Sequence, residues 1–177
     1  VGADFDRAVE SMRTRLAAHP VPVQIPVGKE SGFRGVIDLV RMRMVTWQGE
    51  GVDCTQEFCE IPADLRAKAE EARHDLLEAA AEADERVMEK YVHEEPIAEE
   101  EVVAALRKGT VANRFCPVLC GSALKNKGTR LLLDAVVDYL PSPADVPAVV
   151  GHRPGEPEKQ VIRRPSDDLL LRLARAM

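Results

Sequence analysis

The sequence predicts an α/β protein in which a small α+β lobe, residues 20–112, is inserted between a first helix and a closing strand–helix pair. Two changes of hydrophobic period support this. A period-two stretch follows the first helix, and apolar residues at helical spacing begin near Pro62. A short apolar strand and an amphipathic helix close the body. The same order of elements also fits a single α+β domain.

The first helix is predicted over residues 4–17, with Asp4 as its N-cap. Residues 21–27 then alternate apolar side chains with prolines and Gln24, which predicts an edge strand because proline cannot donate to a β-ladder. "GVIDLV" and "RMRMVTW" predict two further short strands, and "QGEGVDC" predicts a loop.

From Pro62 onward, apolar residues fall on one helical face over about eight turns. This run is long for one globular helix, so a break is expected near residues 83–84. A further helix is predicted over residues 98–108, with Gly109 as its stop.

"FCPVL" predicts a strand of the kind found inside a covered parallel sheet. Residues 129–140 predict an amphipathic helix whose apolar face consists of Leu132, Leu133, Val136, Val137 and Leu140. The proline-rich residues 142–165 are interpreted as a linker. Residues 166–177 are too short for a domain.

Charge is distributed unevenly along the chain. The net charge is -6, yet the segment from Glu60 to Glu101 alone carries 15 acidic and five basic residues. Such a segment is unsuited to binding the phosphates of nucleic acid, since nucleic-acid affinity comes mostly from Lys and Arg. It indicates either a basic protein partner or a solvated helix face. No apolar run approaches the ~18 residues that a membrane helix needs, and the start does not resemble a leader, which predicts a cytoplasmic protein without a membrane segment.

The cysteines do not predict a metal or redox site. Cys116 and Cys120 lie four apart on the predicted strand, about 13 Å along it, which is too far for a disulfide or a shared zinc. No catalytic nucleophile has a supporting context, and no Gly-rich phosphate cradle occurs in the sequence. "GSALKNKG" follows the strand at the end where α/β proteins place ligands, although a solvated loop remains the alternative.

Several strings resemble one family. "CGSALKNKG" followed by "LLLDAVVDYLPSP" resembles the last nucleotide-binding motif of the bacterial elongation factor G family and the helix after it. The opening "VGADFDRAVESMRTRL" is similar to the segment after that family's Asn-Lys-x-Asp motif. "PVPVQIPVG", "GFRGVIDLVRMR", "EIPADL", "EAAAEADERVMEKY" and "ALRKGTV" resemble its inserted subdomain.

This resemblance implies the C-terminal part of a P-loop GTPase-type domain with an inserted α+β subdomain. The implied parts are a first GTPase-domain helix (residues 1–19), the inserted subdomain (20–112), a strand with the guanine loop and last helix (113–141), a linker (142–165) and a truncated second domain (166–177). The P-loop, the switches, the Mg²⁺ ligands and the Asn-Lys-x-Asp motif are not in this sequence. The chain alone is therefore expected to be inactive, with no catalytic residue and no metal ligand of its own.

The resemblance also implies a binding site and partners. Ser122, Ala123 and Leu124 match the turn that walls the guanine pocket of GTP or GDP, with the Ala123 N–H directed at guanine O6. The family hydrolyses GTP, with Mg²⁺ in the intact protein, and moves tRNA and mRNA on the ribosome. Its inserted lobe would meet the ribosomal stalk protein through the acidic helices. A related release-factor or ribosome-protection GTPase, or a non-enzymatic acidic interaction module, are the alternatives.

Overall fold

A computed structural model describes residues 2–49, 54–143 and 145–164. The chain is a mixed α/β protein with several sheets, and it divides into two units, Val1–Leu140 and Pro141–Met177. Among the described helices, none has the length and apolar character needed to cross a membrane.

The first helix, α1, spans Phe5–Leu16 as predicted. The Asp4 side chain caps it by accepting a hydrogen bond from the Arg7 N–H at 3.0 Å. Ala17 ends the helix in the left-handed conformation. The N-cap residue and the apolar spacing therefore located this helix correctly.

The proline-containing stretch after α1 serves two sheets. Strand β1 (Pro20–Pro22) pairs in parallel with a later strand, Cys116–Val118, while β2 (Gln24–Val27) lies at the edge of a four-stranded antiparallel sheet. Val23 stands between the sheets: its N–H donates to the Val118 carbonyl, and its carbonyl accepts from the Leu39 N–H. The predicted single edge strand is correct for β2 alone.

The antiparallel sheet has the order β2-β3-β4-β5, with β3 at Gly35–Asp38, β4 at Arg43–Gln48 and β5 at Thr55–Cys59. The sequence does not predict β5, which ends at Cys59. The β5 sequence, TQEFC, has no continuous apolar face, and four of its five residues are exposed. Pairing with β4, rather than burial, fixes β5 as a strand.

Three helices follow, α2 (Ala63–Ala83), α3 (Glu85–Val92) and α4 (Glu99–Val111). The predicted break is confirmed at Asp84, whose backbone is extended. Its carboxylate accepts from the Arg86 and Val87 N–H groups at 3.0 and 3.4 Å and so caps α3.

The predicted stop at Gly109 is wrong, because α4 continues through it to Val111. A Cβ built on Gly109 would lie 2.2 Å from Cζ of Phe115. This glycine is therefore needed for close packing of α4 against the aromatic ring.

One buried carboxylate organises the β3–β4 turn. Asp38 is 5% exposed and accepts from the Val40 and Arg41 N–H groups at 2.9 and 3.0 Å. The Arg73 guanidinium of α2 donates to the carbonyls of Leu39 and Val40 in the same turn. Helix α2 is thus attached to the sheet by charge-assisted hydrogen bonds.

The closing elements are β6 (Cys116–Val118) and α5 (Thr129–Tyr139). Strand β6 is parallel to β1, but it is not a covered strand, since Cys116 is exposed. The predicted inner face of α5 is wrong. Residues Leu131, Ala135 and Tyr139 are buried, whereas the predicted inward residues are exposed, at 61% for Leu133 and 76% for Val137.

One large hydrophobic cluster joins most elements of the first unit, and a smaller one consists of Val36, Val45 and Leu131. The large cluster contains residues from β1 to β4, from α2 to α4 and from the closing pair, including Val21, Ile37, Leu39, Leu76, Leu106, Phe115, Ala135 and Tyr139. The predicted divisions at residues 19/20 and 112/113 therefore do not separate two cores. Side chains from before and after residues 112/113 pack together in one body.

The second unit corrects the linker interpretation of residues 142–165. It contains an antiparallel hairpin of β7 (Val149–Arg153) and β8 (Glu156–Arg163). Gly155 lies in the connecting turn with a φ of 80°, which favours glycine. The expected start of a second domain, residues 166–177, lies outside the described residues.

Candidate functional site

The predicted site residues lie in the loop between β6 and α5. This loop follows the carboxyl end of β6 and leads into the first turn of α5, where the Leu132 N–H donates to the Gly128 carbonyl at 3.0 Å. Ligands of α/β proteins commonly bind at this end of parallel strands.

Backbone hydrogen bonds close the loop on itself. The Ser122 N–H donates to the Lys127 carbonyl at 2.8 Å, and the Lys127 N–H donates to the Ser122 carbonyl at 3.0 Å. Within this closure, Ala123–Lys125 form a single 3₁₀ turn. Asn126 then adopts a φ of 55°, which asparagine tolerates better than most residues. The loop is therefore a defined structure.

Two glycines permit this closure. A Cβ on Gly121 would lie 2.5 Å from the Lys127 carbonyl oxygen, and Gly128 has a φ of 89°. Sequence reasoning assigned no role to Lys127 or Gly128. The string "KNKG" contains asparagine and glycine, which favour turns, and could have indicated that these residues close the loop.

The three predicted site residues stand together on the 3₁₀ turn. Ala123 and Leu124 are exposed, Leu124 to 96%, while Ser122 is half-buried. The first N–H groups of a helical turn have no acceptor within it, and the Ser122 side chain does not cap this one. The turn thus presents backbone donors that can receive a hydrogen-bond acceptor of a ligand.

Cys120 immediately precedes this loop and is a partly buried free thiol. Burial raises the pKa of the Cys120 thiol to about 12, so the neutral thiol persists at physiological pH. The sequence predicts that both Cys116 and Cys120 lie on the strand. In the structure β6 ends at Val118, so Cys120 lies beyond it. Within residues 2–49, 54–143 and 145–164, no group of three His, Cys, Asp or Glu side chains could hold a metal ion.

The acidic segment forms a second candidate surface. Of its 15 acidic residues, 12 are exposed. Glu71, Asp75, Glu78 and Glu82 recur at spacings of three and four, which places them on one face of α2. Ion pairs involve other members of the segment, including Glu101 with Lys90 at 2.7 Å and Glu99 with Arg41 at 2.7 Å.

A crystal structure of the protein designated ttk003000868 from Thermus thermophilus is similar to this chain, with a TM-score of 0.69 and 24% sequence identity. The match covers 84% of this chain and 22% of that one, so this chain spans about a fifth of the solved protein's length. This similarity concerns the fold alone. No family model matches the sequence.

Proposed function

We propose that the chain is part of a ribosome-dependent GTPase of the elongation factor G type, which promotes movement of tRNA and mRNA during translation. In this proposal Ser122, Ala123 and Leu124 form one wall of the guanine site. The observation that carries it is the closed loop at the end of β6, whose 3₁₀ turn presents an uncapped Ala123 N–H.

In this proposal the Ala123 N–H is the group that distinguishes guanine from adenine. Guanine O6 is a hydrogen-bond acceptor, whereas adenine carries an amino donor at the equivalent position. A fixed backbone N–H therefore favours guanine over adenine. The exposed Leu124 and the small Ala123 leave room for the edge of a base to approach the backbone.

We propose in addition that the fold is the C-terminal part of a P-loop GTPase-type domain. Two observations favour one requirement of this proposal, that the fold is part of a longer polypeptide. The fold recurs as about a fifth of a longer protein, and α5 with its C-cap Leu140 exposes five large apolar residues that further polypeptide would cover. In this proposal the chain contributes base recognition, while phosphate and Mg²⁺ binding belong to other parts of the intact protein.

Nucleotide binding and hydrolysis test this assignment. We expect no binding of labelled GTP to the isolated chain at micromolar concentration, because one wall of a pocket cannot hold the nucleotide. The full-length polypeptide from the reading frame that encodes this chain should hydrolyse GTP faster when ribosomes are added. Absence of ribosome-stimulated hydrolysis would reject the function. The ribosomal step stimulated would distinguish elongation from release or ribosome-protection factors.

The acidic surface supports a second candidate function, a protein-interaction module for the ribosomal stalk protein. Exposed charges interact less strongly as the Debye length falls from about 10 Å at 0.1 M salt to about 3 Å at 1 M. Titration with purified stalk protein should therefore show binding that weakens with salt. Lysine substitutions of Glu71 and Glu78 should weaken it further, whereas Glu10→Lys on α1 should not. No binding at low salt would contradict this candidate.

A further inference from the structure

The two edges of the four-stranded sheet differ in their protection. At one edge, β2 contains Pro26 and is largely buried. At the other edge, β5 contains no proline, four of its five residues are exposed, and no described strand pairs with its outer side. Free N–H and C=O groups on such an edge are a template for pairing with another extended chain.

A cleft of about 510 Å³ lies next to this edge. Met42, Phe58 and Ile61 supply its apolar lining, and Arg43, Arg66 and Glu60 supply its charged groups. Phe58 belongs to β5 itself and is half-exposed. An apolar side chain of a bound strand could pack there while its backbone pairs with β5.

Charge selects the partner. The cleft is lined by two guanidinium groups and one carboxylate, so its net charge is positive. By contrast, the segment from Glu60 to Glu101 carries three acidic residues for each basic one. Arg66 pairs with Glu70 at 3.3 Å, but both side chains are largely exposed, so a ligand carboxylate can compete for the guanidinium. Arg43 is exposed on β4.

We propose that the β5 edge and this cleft bind an extended acidic segment of a partner protein by strand addition. The backbone of β5 supplies hydrogen bonds along the ligand. Phe58 and its apolar neighbours receive one hydrophobic side chain of the ligand, and Arg43 and Arg66 pair with its carboxylates. This surface is distinct from the β6–α5 loop and from the acidic face of α2.

The test uses the full chain labelled with ¹⁵N and two blocked peptides, one with glutamates alternating with valines and one with lysines in place of the glutamates. The acidic peptide should shift the amide signals of residues 55–59 and saturate. Arg43→Glu and Arg66→Glu should each weaken its binding by roughly fivefold or more, as for charges at the rim of an interface. The lysine peptide should bind more weakly to the parent chain.

Arg15→Glu is the matched control, because it makes the same charge change at an exposed position on α1. Binding of the acidic peptide to this variant should be unchanged. Signal dispersion in the free spectra identifies any variant that has lost its fold, and the peptide comparison on the parent chain does not depend on variants. The proposal is overturned by absence of saturable binding, by shifts elsewhere on the chain, or by equal binding of both peptides. Concentration-dependent shifts of β5 without peptide would overturn it in favour of a second copy of the chain.

Discussion

Residues 20–112 and the closing strand–helix pair bury their apolar residues to different extents. Leu39, Leu76 and Leu106 in residues 20–112 are fully buried. Helix α5 and its C-cap leave five large apolar residues exposed, and β6 belongs to a sheet of two strands. An isolated pair of strands is marginally stable in water. The comparison shows that the largest fully buried leucines lie in residues 20–112, whereas one side of α5 has no packing partner among the described residues.

The largest effect is expected from Leu76→Ala in the core. Leu76 has no exposed surface, so truncation should lower the free energy of unfolding by about 2 to 5 kcal/mol. Leu133→Ala on α5, a residue 61% exposed, should change it by roughly 0.5 kcal/mol or less. Urea unfolding followed by circular dichroism measures both. Equal losses would break the comparison between the two regions.

Removing the buried carboxylate should have the next largest effect. Asp38→Ala leaves the Val40 and Arg41 N–H groups without their acceptor and should cost about 3 kcal/mol. Arg43→Ala, at the opposite position on β4, removes an exposed side chain and serves as the control. Unfolding in urea compares the two variants, and equal stabilities would show that the turn does not depend on Asp38.

Gly109→Ala tests the packing between α4 and the residues before β6. The added methyl would meet the Phe115 ring, and overpacking of this kind costs about 1 to 3 kcal/mol. Helix propensity alone would predict a gain of up to about 1 kcal/mol. Thermal unfolding decides the sign. The additional substitution Phe115→Leu should recover part of the loss, and its failure to do so would contradict the steric account.

Asp84→Ala should produce the smallest loss, about 1 kcal/mol, through the missing N-cap of α3. The hydrogen bond from Lys108, followed by those from backbone N–H groups, lowers the pKa of Asp84 in the folded state. A lowered folded pKa gives stability that is complete above the unfolded value, roughly pH 4, and is lost as the pH falls through the folded value. The difference between parent and variant should therefore shrink at low pH. A constant difference would exclude this carboxylate as its source.

Local signals predicted the helices well. Asp4 and Asp84 mark helix starts through their side-chain caps, and the apolar spacing supplies the buried face of α2. These features depend on residues close in sequence. The turn residues of the β6–α5 loop were likewise recognised, although its closure through Lys127 was not.

Features that depend on distant packing were missed. Helix α5 has apolar residues on two sides, so its sequence could not reveal which side packs inward. Glycine often ends a helix, which is why the sequence predicts a stop at Gly109. The close approach of the Phe115 ring explains why a glycine is needed there. The sequence of the β7–β8 hairpin contains prolines and exposed residues, a composition typical of linkers. Only the pairing between the two strands shows that it is a hairpin.

Removal of the Ala123 N–H, the proposed donor to guanine O6, is the most direct test of the proposed function. Ser122 is extended, and Ala123 begins the 3₁₀ turn, so Ala123→Pro suits the backbone while removing the N–H. Ala123→Ser retains it. In the full-length protein we expect the proline variant to bind GDP about tenfold or more weakly, while the serine variant remains close to the parent. Unchanged GDP affinity in the proline variant would contradict the account.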